Sequence, residues 1–315
     1  MTTPLANQRG MVLLLVLVVV TLLAALLSEF SFSSLVDLRL AETFRDSSRA
    51  YYLANGGVRA GRMLLQDDKN EYDGPDELWS LGVVGYPVAD GTVSITIDDL
   101  SGKIDLNELV NNGVNINPVI KDRCLALFTD LKLADPAGLV DALIDWLDDN
   151  GDSQEPLGAE SSYYEGLPHP YPAHNGPLAS LDELLLVKGF DQKVLDTIRP
   201  HVTVYSSNVT TNNNTYGMIN VNSASKEVLM SLASNMDAQD ADAIIAARNE
   251  KPFHSMPDFK NRPGMDTIYT KIADQIAVKS EIFKIRSFGQ VGDGSRTVEA
   301  VVRKTGDELL YQRVN

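Results

Sequence analysis

The chain has 315 residues, enough for two domains of ordinary size, and its 44% hydrophobic and 22% charged content is a globular mixture that excludes long disorder. A formal net charge of −16 disfavours an extended nucleic-acid surface, because phosphate contacts need clustered Lys and Arg. Cys124 is the only cysteine, so an intramolecular disulfide and a thiolate metal cluster are both excluded, and long loops outside the cytoplasm would need another tie, such as a hard cation.

Residues 11–28 carry no charge. At 1.5 Å per residue a helix of that length covers about 27 Å, enough to cross a hydrocarbon core. A short polar leader, residues 1–10, precedes it with Arg9 as its one charged side chain, and Glu29, Asp37 and Arg39 follow. The basic residue on the short side places the N-terminus in the cytoplasm and the bulk of a single-pass protein across the membrane. Three readings compete. A cleaved secretory signal wants a shorter apolar core and a small-x-small site at its end, where this chain offers only Ala24-Ala25 among leucines. A signal anchor would keep the leader. A prepilin leader would be cut before the apolar run, between Gly10 and Met11.

The next stretch favours the third reading. From Phe32 the apolar positions fall at Leu35/Val36, Leu40, Phe44, Ala50/Tyr51, Ala54, Val58 and Leu65, close to helical spacing, with Asp37, Arg39, Glu42, Arg45, Asp46 and Arg49 between them. No proline interrupts residues 11–73. One continuous helix is expected, transmembrane over residues 11–28 and amphipathic over 29–66, as in the spine of a pilin.

Beyond it, residues 93–97 alternate like a strand. Residues 282–288, 296–303 and 309–314 read as three more, joined by Gly-containing turns at 290–295 and 304–307. The expected fold class is α+β: a pilin-like N-terminal spine helix with a small antiparallel sheet, interrupted by a large inserted α-helical domain. Residues 67–105 and 277–315 form the sheet-bearing head, and residues 106–276 form the insert.

The insert carries an internal duplication. Gly102-Lys-Ile-Asp-Leu-Asn107 matches Gly217-Met-Ile-Asn-Val-Asn222, and Asp141-Ala-Leu-Ile144 matches Asp242-Ala-Ile-Ile245. Leu178-x-Ser-Leu-x-Glu-Leu184 matches Phe253-x-Ser-Met-x-Asp-Phe259, and Gly189-Phe-Asp191 and Gly264-Met-Asp266 follow at the same distance in each copy. The second copy resembles a helix-hairpin-helix DNA-binding unit. Its hairpin, Ala233-Ser-Asn-Met-Asp237, lacks the glycines whose amides would hold phosphate, and with the acidic charge this argues against nucleic acid.

Only the first copy has an extra loop between Trp146 and Pro177. There Asp148, Asn150 and Asp152 keep the 1-3-5 oxygen spacing of a calcium loop, with Glu160 as a closing acid. It departs from an EF-hand: Ser153 stands at the glycine position, Glu160 is one place late, and no helix-forming pattern follows. With Asp149 and Glu155, five carboxylates crowd one loop and repel unless solvated or neutralised by a cation. A calcium site and a solvated Asn-Gly turn both fit these letters.

Four features together resemble the minor pseudopilins of the type II secretion K family. These are the leader Arg9-Gly10, Ser101-Gly-Lys-Ile-Asp-Leu-Asn107, Leu143-Ile-Asp-Trp-Leu-Asp148 with Gly158-Ala-Glu-x-x-Tyr-Tyr164, and Ile219-Asn-Val-Asn222. The resemblance implies cleavage by a prepilin peptidase between Gly10 and Met11, N-methylation of Met11, and a bacterial inner-membrane protein with a periplasmic head. It implies structural calcium at Asp148, Asn150, Asp152 and Glu160, with Asp149 and Glu155 as further ligands. It also implies other minor pseudopilins and the major pseudopilin as partners, with secreted cargo or the outer-membrane channel beyond them. Most members of the wider class carry Glu at the fifth mature position, where it recruits the neighbouring subunit. Here that position is Leu15, which suits a subunit placed first, at the tip. The function expected is to start or cap the pseudopilus. A type IV pilus minor pilin and a signal-anchored periplasmic ligand-binding protein are the rival readings.

No enzyme is expected. His169 and His174 flank the rigid Pro170-Tyr-Pro172, His201 and His254 are isolated in sequence, and no nucleophile elbow, Walker loop or zincin motif is present.

Overall fold

A computed structural model describes residues 8–154, 156–205 and 217–315. Helix α1 (Gln8–Asp67) runs unbroken for 60 residues, about 90 Å at 1.5 Å per residue. Among the described residues it is the one helix long and apolar enough to cross a membrane. Its first half exposes its apolar side chains all round, Leu15 at 62%. In the second half Ala50, Ala54, Val58 and Leu65 are buried, so one stripe of the helix faces a core.

That core belongs to a sheet. After a single turn, α2 (Leu78–Leu81), come β1 (Val83–Val88) and β2 (Gly91–Asp99), and the last 34 residues supply β9 (Ile282–Val291), β10 (Gly294–Arg303) and β11 (Glu308–Val314). The order is β1-β2-β9-β10-β11, antiparallel throughout, with Gly91–Asp99 of β2 set against Phe283 to Val291 of β9. Strand alternation turns Val93, Ile95, Ile97, Phe283, Ile285, Val298, Ala300 and Val302 onto α1. Helix and sheet pack closely because glycine lies at the seam: a Cβ on Gly289 would overlap the Ala50 carbonyl, and one on Gly57 would overlap Ser287. Strand β1 was not expected from the sequence. It holds Gly85 and Pro87 and is almost wholly exposed, so it shows no alternation, and only the edge of a sheet tolerates its proline.

Between β2 and β9 lies the inserted domain. Its first part contains β3 (Ile104–Asp105), a 3-10 turn (Leu106–Leu109), β4 (Val110–Asn111) and β5 (Asn115–Ile116). Helices α3 (Pro118–Asp130), α4 (Pro136–Leu147), α5 (Ser161–Glu165) and α6 (Gln192–Ile198) follow, and β6 (Val202–Thr203) ends it. The second part contains β7 (Ile219–Asn220), α7 (Lys226–Ser231), α8 (Ala238–Glu250), α9 (Met256–Asn261), α10 (Met265–Ile272) and β8 (Ile276–Ala277). Local chemistry starts several of these helices: Asn117 and Asp135 cap α3 and α4 just before a proline at the first position, and Asp237 with Asp240 forms a capping box on α8.

The two parts are the same unit twice. In each, the opening strand pairs in parallel with the closing one, β3 with β6 and β7 with β8. In each, an Asn after the opening strand grips one residue on both sides of its peptide. Asn107 accepts from Leu178 N at 2.8 Å and donates to Leu178 O at 3.0 Å; Asn222 accepts from Phe253 N at 2.8 Å and donates to Phe253 O at 2.9 Å. These are the pairs the letters align. Helix α3 packs on α7, and both copies share one core from Ile104 to Val278, separate from the core under α1.

Candidate functional site

Helix α4 is buried almost all round, and its last turn sets Asp145 and Asp148 three residues apart on one face. Asp145 is fully buried and is satisfied by the returning loop: it accepts from Gln154 N at 2.9 Å and from Ser153 Oγ at 3.0 Å. The chain passes so close that a Cβ on Gly158 would overlap the Asp145 carboxylate. Two residues later Glu160 enters the same region from the far end of the loop, 7% exposed, beside Asp148 at 1%. Burial pushes Asp148 up to about 6, with Asp145 adding to it, and pushes Glu160 up to about 7, with Asp145 and Asp148 adding to it. Asp148 Oδ1 and Glu160 Oε1 are buried with no hydrogen-bond partner among the described residues. The negative end of α4 points into the same place. Two anionic oxygens in such surroundings call for a proton or a cation, and an all-oxygen donor set is what calcium takes.

The other residues expected there are less enclosed. Asn150 is half-buried, and its side-chain oxygen accepts from Asp152 N at 2.7 Å. Asp152 is exposed. Asp149 is also exposed; its N–H donates to Gly113 O at 2.7 Å and its carboxylate lies against Gly113. Glu155 lies outside the described residues. Sequence reasoning missed Asp145, although its spacing to Asp148 on a helix was a readable signal. It also missed α5, a single turn that starts directly after Glu160. Tyr164 on that turn is fully buried against Trp146, with ring centroids 5.1 Å apart, which fixes the loop's return to α4.

A second carboxylate group has a different character. Asp68, Asp73 and Glu77, just past the end of α1, bring oxygens within 4.8 Å of one another. There the cation is built in: Lys304 Nζ stands 2.7 Å from both Asp68 and Asp73. Ser280 N donates to Asp73 at 2.7 Å, and Gly74 N and Trp79 Nε1 donate to Glu77 at 2.9 Å. Burial pushes Asp73 up to about 6 against the pull of Lys304, whereas the pull of Asp68 and Asp73 outweighs burial at Lys304 and raises it. The cluster is a junction. Asp73 N donates to Val278 O, and the Asp73 carbonyl accepts from Asn220 and Asn222 of the second copy.

The two copies have counterparts among known proteins. Residues 102–207 and 219–279 match two family models, both described as Type II secretion system (T2SS), protein K, and together these cover more than half of the chain. The chain belongs to the type II secretion system protein K family. Similar members are the type II secretion system protein K of Aeromonas hydrophila, 25% identical over 98% of this chain and 96% of that one, and of Klebsiella pneumoniae, 27% identical over 95% and 94%. The corresponding protein of Pseudomonas aeruginosa is 25% identical over 96% and 90%. The fold is similar to that of a chain in the crystal structure of the GspK-GspI-GspJ complex from the enterotoxigenic Escherichia coli type 2 secretion system. The TM-score is 0.71 at 20% identity, covering 89% of this chain and 99% of that one. Membership makes the chain a minor pseudopilin of type II secretion, with α1 as its pilin-type helix. The family boundaries fall on the duplication: each matched region spans one opening strand, its helices and its closing strand.

Three of the four histidines sit in structural contacts. His174 meets Glu183, which also accepts from Trp146 Nε1 at 3.0 Å; His201 meets Ser225; His254 stacks on Tyr72 with centroids 4.1 Å apart. His169 is exposed.

Proposed function

We propose that this minor pseudopilin takes the tip of the pseudopilus, where it starts or caps assembly and acts by packing without chemistry. The observation that carries the reading is where the inserted domain is fastened. Asp73, Lys304 and the Asn220–Asn222 segment tie it to the chain just beyond the last turn of α1, at the end opposite the apolar half. Bulk in that position leaves no seat for a further subunit above it, while the sides of α1 stay open to neighbours below. Leu15 adds to this: a neutral residue at the fifth position after Gly10 gives no counter-charge to a subunit already in place.

In the same reading the apolar half of α1 crosses the bacterial inner membrane with its N-terminus in the cytoplasm. A prepilin peptidase cuts between Gly10 and Met11, and Met11 is then methylated. The partners are other minor pseudopilins and the major pseudopilin through α1, as the similar GspK is found with GspI and GspJ. The acidic head faces cargo or the outer-membrane channel. Calcium would be held by Asp148 and Glu160, with Asn150 and Asp152 nearby, and would supply the charge that lets the loop close on α4.

Electron microscopy of pseudopili bearing a gold-labelled tag inserted at an exposed turn of the inserted domain tests the placement. Label at one end of each filament is expected. Label spaced along the shaft would overturn the tip reading.

A further inference from the structure

On β9 and β10 the residues alternate with those facing α1, so Lys284, Glu299 and Val301 stand on the opposite face of the sheet. Where the first copy of the inserted domain meets that face, a cleft of about 130 Å³ opens. Four cations line it: Lys103 just before β3, Arg199 at the end of α6, Lys284 on β9 and Arg313 on β11. In a chain of net charge −16 such a grouping runs against the composition.

Its two carboxylates are already engaged. Asp182 takes Arg199 at 2.6 Å and lies 3.5 Å from Arg313; Glu299 takes Arg286 at 2.8 Å and lies 3.7 Å from Lys284. Burial works to raise Glu299, yet Lys284 and Arg286 overcome it and hold the carboxyl below its ordinary value. Lys103 stands apart. It is half-buried, and among the described residues its Nζ donates one hydrogen bond, to the Arg199 carbonyl at 3.2 Å. Burial lowers its pKa, and Lys284 and Arg199 push the same way against Asp98 and Asp99. Among the described residues no carboxylate forms an ion pair with this ammonium, and Asp98 and Asp99 act on it only from farther away. Beside the hydroxyl residues Ser180 and Thr203, the remaining wall is apolar or aromatic, with Val202, Val301 and the rings of Tyr205 and Tyr311 6.0 Å apart.

That volume gives room for a carboxylate and its short stem. We infer that this cleft is a binding site for a carboxylate on a short aromatic or aliphatic stem, taken from another polypeptide as a chain end or an acidic side chain. Lys103 makes the charge-assisted contact, Arg199 and Arg313 add long-range attraction, and the tyrosine pair covers the stem.

The test uses the full chain in a non-ionic maltoside micelle with 4-fluorophenylacetate as the probe, followed by fluorine NMR. Saturable broadening is expected for the acid and none for 4-fluorophenylacetamide, which has the same shape without the charge. Lys103→Met should weaken binding about tenfold or more, as loss of one charge-assisted hydrogen bond requires. Lys103→Arg should restore most of it, and Arg313→Met should weaken it by a smaller factor. Unchanged melting curves would show that these variants fold. Equal broadening by the amide, or binding indifferent to both Lys103→Met and Arg313→Met, would overturn the site. Acetyl-glycyl-phenylalanine and acetyl-glutamate methylamide then compete with the probe. Displacement by the first marks a chain end as the natural occupant, and displacement by the second marks an acidic side chain. If neither displaces it, the polypeptide origin is wrong.

Discussion

Asp148 and Glu160 reach one enclosed spot from opposite ends of a loop, and neither free oxygen has a hydrogen-bond partner there. The pH dependence of that arrangement can be worked out. Glu160 sits near 7 in the folded chain without metal, against an ordinary 4.5. Between those values the native state holds a proton that the unfolded chain has lost, so stability from this group falls as pH rises and is lowest above 7. Calcium reverses the sign, because it favours the ionised form. In chelator at pH 8, Glu160→Gln should therefore melt above the unmodified protein, and the gap should close as pH falls from about 7 to 5. In excess calcium the unmodified protein should be the more stable of the two. Identical melting differences with chelator and with calcium would remove Glu160 from the proposed calcium site. Asn150 and Asp152 were readable from their spacing, but the spacing could not say that their carboxyl and amide groups lie nearer solvent than Asp148. That depends on how far Gln154 and Gly158 fold back over Asp145.

At the scale of elements, the seam between α1 and β9 depends on atoms that are missing. A methyl group at Gly289 would overlap the Ala50 carbonyl, which is backbone and cannot swing away. Gly289→Ala should destabilise the head by roughly 1–3 kcal/mol, the usual range for overpacking, with thermal melting as the measure. Gly306→Ala is a useful contrast: its open surroundings offer no clash, and only its positive φ of 80° opposes the change. A greater loss at Gly306 than at Gly289 would show that the seam can shift to make room. The long helix and the strands of the C-terminal sheet were legible, since each carries enough periodic residues to show its buried face. Strand β1 and the one-turn α5 were not. The first is an exposed edge without alternation, and the second is shorter than the period that would reveal it.

For the whole molecule, what joins the two cores matters most. Lys304, in the turn between β10 and β11, reaches Asp68 and Asp73 at the end of α1, while the Asp73 backbone is held by Asn220, Asn222 and Val278. Three distant parts of the sequence thus meet at one buried charge. Lys304→Met leaves two enclosed carboxylates without their cation, and a loss of about 3–5 kcal/mol is expected. Hydrogen exchange should rise at Asp73 and Ser280, whose N–H groups donate across the junction, before it rises inside either core. Unchanged exchange there would mean that the backbone bonds alone hold the domains together.

The sequence by itself determined the membrane-length helix, its amphipathic continuation, the class of the fold and the duplicated insert. Each of these is written in the order of residues along one element or in letters repeated at a fixed distance. The pairing of Asn107 with Leu178 and of Asn222 with Phe253 was visible as alignment and became, in three dimensions, the same amide bridge built twice. Only the tertiary structure decided which acids are buried together, that Lys304 supplies the cation at one cluster, and that four basic side chains meet in a cleft of an acidic protein. Those outcomes depend on contacts between residues far apart in the chain. Burial and distance then set their charge states, and neither quantity can be read from the local sequence.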